Sequence, residues 1–224
     1  MALADRGTPT SGGADSGTTV TGTLPTGHTT GDLLIFWIWS LETISTPTGY
    51  TAITGSQFGT GAFSKASCFW KIHDGSESNP AATLGASNFY RWGMSAFSGV
   101  DQTTPIVDSD WTETTDFASD PTMPTSNAGG STVWSLVFLG TGTNNGDPTG
   151  GWPAGWTQIW TEGISGPSFG KVNALAVNTS PGTGSIGGST IDLTGGQGTE
   201  VVLQILIKED AGPAPTYVFF RGTR

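Results

Sequence analysis

Apolar and polar residues alternate along this chain with a period of two, in short runs broken by Gly, Pro, Ser and Thr. Within residues 65–72, Ala66, Cys68, Trp70 and Ile72 fall on one face, and Lys65, Ser67 and Lys71 fall on the other. Such alternation marks a half-buried strand, because successive side chains of a strand point to opposite faces. Residues 89–97 repeat the pattern, with Tyr90, Trp92, Met94 and Ala96 as the expected inner set. Residues 33–39 are apolar on both faces. Phe36 and Ile38 therefore need cover of their own, from a loop of the same chain or from a neighbouring subunit. Nowhere do apolar residues recur at the spacing of three and four that an amphipathic helix requires. The pattern predicts an all-β chain.

The run of strands occurs twice. A strand at 31–39 is followed by the turn Pro47-Thr48-Gly49-Tyr50-Thr51 and by strands at 63–72 and 89–97. In the same order come a strand at 130–138, the turn Pro153-Ala154-Gly155-Trp156-Thr157, and strands at 171–177 and 200–208. Trp156 thus stands where Tyr50 stands, which makes it a structural residue of the turn. Such a duplication suits two similar Greek-key halves, each covering the other's apolar face in a two-sheet antiparallel β-sandwich. The expected organisation is one sandwich domain at 18–208, with halves at 18–107 and 125–208. Residues 1–17 are polar and Gly-rich, an N-terminal arm that is flexible or docked in extended form.

Residues 209–224 make a C-terminal arm. Gly212, Pro213 and Pro215 stop the sheet and favour an extended spacer. Beyond them Tyr217, Val218, Phe219 and Phe220 form an apolar group, followed by Arg221 and Arg224 with no acid among them. Such a segment suits strand addition to an adjacent subunit or to a partner's surface, or a fold-back onto its own sandwich as an edge strand. With Phe36, Ile38, Trp152 and Trp160 it supplies the candidate partner-binding residues. Trp152 and Trp160 are included because neither has an aromatic counterpart in the first half.

Composition narrows the function. Ser, Thr and Gly make up about two-fifths of the chain, which suits short strands and turns and leaves little for helices. The net charge is -10, and a surface that acidic repels nucleic-acid backbones. One cysteine excludes an internal disulfide, and Cys68 reads as a small core residue. Residues 1–7 lack the apolar run of a signal peptide, and the run at 33–39 is too short to span a bilayer. The expectation is a soluble protein with no nucleic-acid or membrane partner, made in a cytoplasm.

Candidate chemistry does not hold together. Gly166-Pro167-Ser168-Phe169-Gly170 fits a nucleophile elbow, but both histidines, His28 and His73, precede the serine and a strand follows it. Gly182-Thr183-Gly184-Ser185-Ile186-Gly187 fits a phosphate-binding loop, but no helix opens after it. Two distant histidines and one cysteine make no zinc site. Asp108, Asp110, Glu113 and Asp116 crowd a loop at 101–120, with no EF-hand spacing. Among 18 acids nothing singles out a glycosidase pair. The sequence predicts no enzyme, no cofactor, no metal and no catalytic residue.

Four features carry a resemblance: Gly31-Asp32-Leu33-Leu34 opening a strand, the turn at 47–51, Phe97-Ser98-Gly99-Val100-Asp101 with Thr104-Pro105-Ile106, and the turn at 153–157. Through them residues 18–208 resemble jelly-roll-type β-sandwich proteins of tailed phages, both capsid decoration (cement) proteins and tail-appendage proteins, and related bacterial proteins. The resemblance implies a jelly-roll-like sandwich with no catalytic residues. It further implies a virion structural protein on the capsid exterior, a trimer bound to the major capsid protein. The alternative it leaves open is a receptor-binding tail or fibre domain that recognises host-surface glycans. A glycan hydrolase ranks behind both.

Overall fold

A computed structural model describes residues 2–53, 57–59, 65–115, 119–141, 151–163, 172–193 and 199–212. The first half supplies β1 (Ala4–Asp5), β2 (Thr10–Ala14), β3 (Thr19–Thr21), β4 (Leu33–Ser40), β5 (Thr51–Ala52), β6 (Lys65–Ile72), β7 (Ala81–Thr83) and β8 (Tyr90–Ser98). The second supplies β9 (Ile106–Thr114), β10 (Thr125–Asn127), β11 (Val133–Thr141), β12 (Thr157–Gly163), β13 (Val172–Asn178), β14 (Ser185–Gly187) and β15 (Glu200–Lys208). Every strand pair is antiparallel. The described residues contain no helix. The chain is all-β, as its pattern predicts.

Each half builds one main sheet and one small ribbon. The first sheet runs β1-β8-β4-β6-β5, with β2 also on β8, and the second runs β9-β15-β11-β13-β12. The ribbons are β3-β7 and β10-β14. The two orders match strand for strand, from β2 against β9 through to β8 against β15. Within each half the chain passes from sheet to ribbon, back to the sheet, to the ribbon and back again. The winding between two layers is thus completed inside each half, and the chain crosses between the main sheets once, after β8.

This extends the duplication by one strand at each start. The halves read as 18–107 and 125–208 become units opening at β2 and β9, and Ile106 belongs to the second. Nothing in the Gly-rich Thr10–Ala14 resembles the acidic Ile106–Thr114, so only their shared place beside the last strand reveals the match. Residues 2–17 accordingly form no free arm. β1 and β2 lie along β8, and Arg91, 1% exposed, donates to the Ala14 carbonyl at 2.9 Å and to Asp15 Oδ1 at 3.0 Å. A buried guanidinium needs such partners, and they fix the N-terminal strand in place.

The two main sheets face each other. Leu33, Ile35, Trp37 and Trp39 of β4 share one core with Leu136 and Phe138 of β11 and Leu203, Ile205 and Ile207 of β15. Trp37 stacks on Phe138 with ring centroids 5.5 Å apart, and its Nε1–H donates to Asn173 Oδ1 across the sheets. Two glycines make the close approach possible. A Cβ on Gly93 would lie 2.1 Å from the Trp160 ring, and one on Gly140 would lie 2.4 Å from Trp39. Each half thus lays a tryptophan on a bare backbone patch of the other.

Outside each main sheet lies a further apolar layer. Val20, Ala82 and Leu84 of the first ribbon region cover Leu34, Phe36, Ile38, Phe69, Trp92, Met94 and Ala96. On the other side, Met123, Ile191 and Leu193 cover Val137, Leu139 and Val202, while Ala128 and Ile186 cover Val133 and Leu206. Four layers explain why the central strands are apolar on both faces. They also correct the expected inner set. Trp92, Met94 and Ala96 are buried under the ribbon, whereas Gly93, Ser95 and Phe97 face the second sheet. Alternation separates two faces but does not say which one meets the larger partner.

Candidate functional site

The candidate partner-binding residues do not form one surface. Phe36 and Ile38 are fully buried beneath the first ribbon, so the cover they require comes from their own chain. Trp160 lies in the inter-sheet core, and its Nε1–H donates to Ser95 Oγ at 3.0 Å. Trp152 is half-buried on the second half's outer cluster, with Nε1–H donating to Gln158 Oε1 at 2.8 Å. Trp156 packs beside it, and Tyr50 packs on the outer cluster of the first half. The shared Pro-x-Gly-aromatic turn therefore serves one purpose twice: it folds an aromatic ring onto the outside of its main sheet. Tyr217, Val218, Phe219, Phe220, Arg221 and Arg224 lie outside the described residues, as do Ser168 and Asp116.

The acidic stretch is not the loop that its composition suggests. Asp108, Asp110 and Glu113 lie on β9, which pairs with β15 on one side only. Asp108 Oδ1 accepts from the Ser109 N–H at 2.9 Å, and Asp110 Oδ1 accepts from the Trp111 N–H at 2.8 Å. These are alternate residues of the strand, so their N–H groups point away from β15, where a further strand would need them. The two carboxylates close the edge, both by occupying its donors and by their charge. Among the described residues no cluster of His, Cys, Asp and Glu has the makings of a metal site. Substituting Asp110 by serine should leave the fold intact and open this edge, whereas Asp108 also accepts from the Asn127 N–H of β10 at 2.7 Å. Sedimentation should then detect concentration-dependent association beyond that of the parent protein; a variant that sediments like the parent would assign the carboxylate no such role.

Ser185 to Gly187, the end of the glycine motif, is strand β14 paired with β10. It is part of the second ribbon. A cleft of about 340 Å³ lies where the two halves join, lined by Arg6, Asp32, Gln102 and Asp210 among others. Its cation is already engaged, with Arg6 Nε 3.4 Å from the buried Asp32 carboxylate. Next to it Lys208 Nζ donates to Asp101 Oδ2 at 2.7 Å. That lysine, with the N–H groups of Thr104 and Thr103, holds the Asp101 carboxyl well below the usual range. The cleft and this ion pair fasten the crossover between the sheets.

One titratable cluster escapes a reading of the sequence. Glu77, whose side chain is 2% exposed, contacts His73 Nδ1 and Lys71 Nζ, the latter at 2.8 Å. It also accepts from the N–H of Asp74 at 2.9 Å and of Gly75 at 3.2 Å. Burial alone would raise the Glu77 carboxyl, but Lys71 and the backbone donors outweigh it and hold the group at about 2. Burial and the Glu77 charge push the nearby Tyr50 phenol up. A carboxyl depressed by folding contributes stability above its unfolded value and loses it as pH falls through the folded value. Stability should therefore decline between pH of about 4.5 and about 2, and Glu77→Gln should flatten that part of a melting-temperature profile. His28 completes the cluster, its ring centroid 4.6 Å from that of His73. The two histidines are far apart in sequence, so only the pairing of the loop ends beyond β4 and β6 brings them together.

Comparison of the chain with family models, with curated proteins and with solved structures gives no match.

Proposed function

We propose that this chain is a structural protein of a tailed-phage particle, a decoration or cement protein that binds the outside of the capsid shell as a trimer. The observation that carries the reading is the four-layered body. Two duplicated rolls stand back to back, tryptophans of each are seated on glycines of the other, and both outer faces are capped by the chain's own ribbons. Its apolar surface is spent on internal rigidity, which is what a shell-bracing part needs. The phage-like turns support the same reading, since the turns at 47–51 and 153–157 hold equivalent places in the two halves. Contact with neighbours would then fall to the sheet edges and to the segment carrying Tyr217, Val218, Phe219, Phe220, Arg221 and Arg224.

Adding the purified chain to capsid shells that lack it tests the reading. Many bound copies at regular positions on the shell, seen by electron microscopy, are the expected result. Binding only at the tail tip would favour the glycan-receptor alternative, and no binding to shells would overturn the cement reading.

A further inference from the structure

We infer that the outer edge of β12, at residues 160–163, receives the segment Tyr217, Val218, Phe219 and Phe220 of a second copy of this chain as an added strand, an assignment that rests on the trimer reading. The four sheet edges are not equally open. In the second sheet β9 is closed by its carboxylates, and β12, at the opposite end, pairs with β13 alone among the described residues. In the first sheet β5 is two residues long, and Phe58 bridges Ala66 beyond it. The Gly-rich β2 is flanked at its start by residues 23–26. There Thr8 and Thr26 exchange backbone bonds of 3.0 and 3.1 Å, and Thr10 Oγ1 donates to the Thr23 carbonyl. That leaves β12. A register shift between Gln158 and Trp160 disturbs its start, after which residues 160–163 pair regularly with β13. Among the described residues no backbone bond reaches the outer side of those four. Such an edge offers a row of donors and acceptors to a further strand.

The chain's own tail does not reach this edge. Trp160 is in register with Leu175, Leu175 with Phe138, and Phe138 with Leu203, which lies five residues back along β15 from Lys208. A strand added beyond β12 lies four strand spacings from β15, about 19 Å, so the diagonal from the end of β15 is on the order of 25 Å. Glu209 and Asp210 are tied to Val100 and Gly99, and Gly212 is tied to Asp210. From Gly212 to Tyr217 the extended chain spans at most about 17 Å. A neighbouring copy has no such limit.

The segment also suits the edge chemically. Its four apolar residues match the four regular positions, and alternate side chains of an added strand face opposite ways. One pair falls on the side of the half-buried Trp152, which bonds to Gln158 of β12. The other falls on the inter-sheet side, beside the partly buried Ile159. Arg221 and Arg224 follow with no acid, whereas the chain as a whole carries a charge of -10, so a second copy attracts the segment. Each copy gives one strand and receives one, a head-to-tail contact that closes into a ring.

Cross-linking between full-length variants provides the test. Thr161→Cys marks β12 at an exposed position, Val218→Cys marks the segment, and Ser109→Cys marks β9 at the closed edge. Cys68 is buried, so the parent supplies the background. With a short bismaleimide, co-expressed Thr161→Cys and Val218→Cys chains should give cross-linked pairs that neither variant gives alone, and Ser109→Cys with Val218→Cys should give none. Assembled chains that link the segment to Ser109→Cys, or to neither edge, would overturn the assignment and leave the trimer reading standing. Chains that stay monomeric both in solution and on capsid shells would overturn the two together. A second measurement needs no substitution. Amide exchange at residues 160–163 of the parent should be slower where it assembles than after dilution to monomer, and equal exchange would overturn the assignment even if a variant failed to fold.

Discussion

Cutting Trp37 back to alanine is expected to destabilise the protein by about 3–5 kcal/mol, the range for removing a large buried aromatic. Trp37 is fully buried at the centre of the inter-sheet core, between Phe58 at 6.3 Å and Phe138 at 5.5 Å. The surrounding strands are hydrogen-bonded on both sides and cannot collapse into the space. Asn173, also fully buried, would lose the indole donor on its Oδ1, an added penalty of a buried unpaired acceptor. Since domains are stable by roughly 5–15 kcal/mol in all, the variant should melt on the order of 10 °C lower. Trp37→Phe narrows the terms, because it keeps a six-membered ring but loses the indole N–H and a small part of the buried volume, with a loss of about 1–3 kcal/mol. Calorimetry of the two variants checks both values; equal, small losses would mean that the sheets are not held at this point.

Deleting residues 212–224 should do the opposite: leave the body folded and remove its association. Three ties of the described body lie before that point, and Gly212 adds a turn bond, its N–H donating to Asp210 Oδ1 at 3.0 Å. Glu209 bridges Val100, the Asp210 N–H donates to Gly99 at 2.8 Å, and Lys208 pairs with Asp101. None of these depends on the apolar residues 217–220 that follow. Burial of three aromatics against a neighbour could contribute several kcal/mol at about 25 cal/mol per Å², enough to decide whether subunits assemble. The truncated chain should therefore melt as the parent does, yet fail to trimerise or to bind shells. Unchanged assembly would show that the segment is not an assembly arm; failure to fold would show that it completes the parent's own sheet.

Much of this fold is legible in the residues, and the gaps have physical causes. Period-two alternation locates the long strands, and the duplicated Pro-x-Gly-aromatic turn anticipates that one half covers the other. The ribbons escape notice because a three-residue strand such as Thr19–Thr21 or Ser185–Gly187 is too short for alternation to register. Missing the ribbons is what leaves Phe36 and Ile38 looking like partner contacts and places Trp92 and Met94 on the wrong face. The N-terminal strand is hidden for another reason. Gly12 and Gly13 carry no pattern, and what requires them is the side chains of Trp92 and Arg91 pressed against them from β8. The ionic cluster at His28, His73 and Glu77 depends on register between distant strands, which composition does not encode.

The single covalent joint between the main sheets, the short stretch after β8, has a consequence for how the protein responds to dilution. Two halves packed sheet against sheet would, as separate chains, be partners whose union depends on how much of each is present. Joined, each sees the other at an effective concentration on the order of millimolar or more, as short connectors provide. Their union then becomes a first-order event, indifferent to how few molecules share the solution. The Lys208–Asp101 pair and the Gln102 bond to the Gly31 carbonyl at 2.9 Å hold that connector against both halves, which narrows the space it explores and raises that local concentration further. Cleaving the joint without removing any residue would turn the same interface into an ordinary equilibrium between two molecules, and the stability of the whole would begin to depend on the amount of protein in the tube.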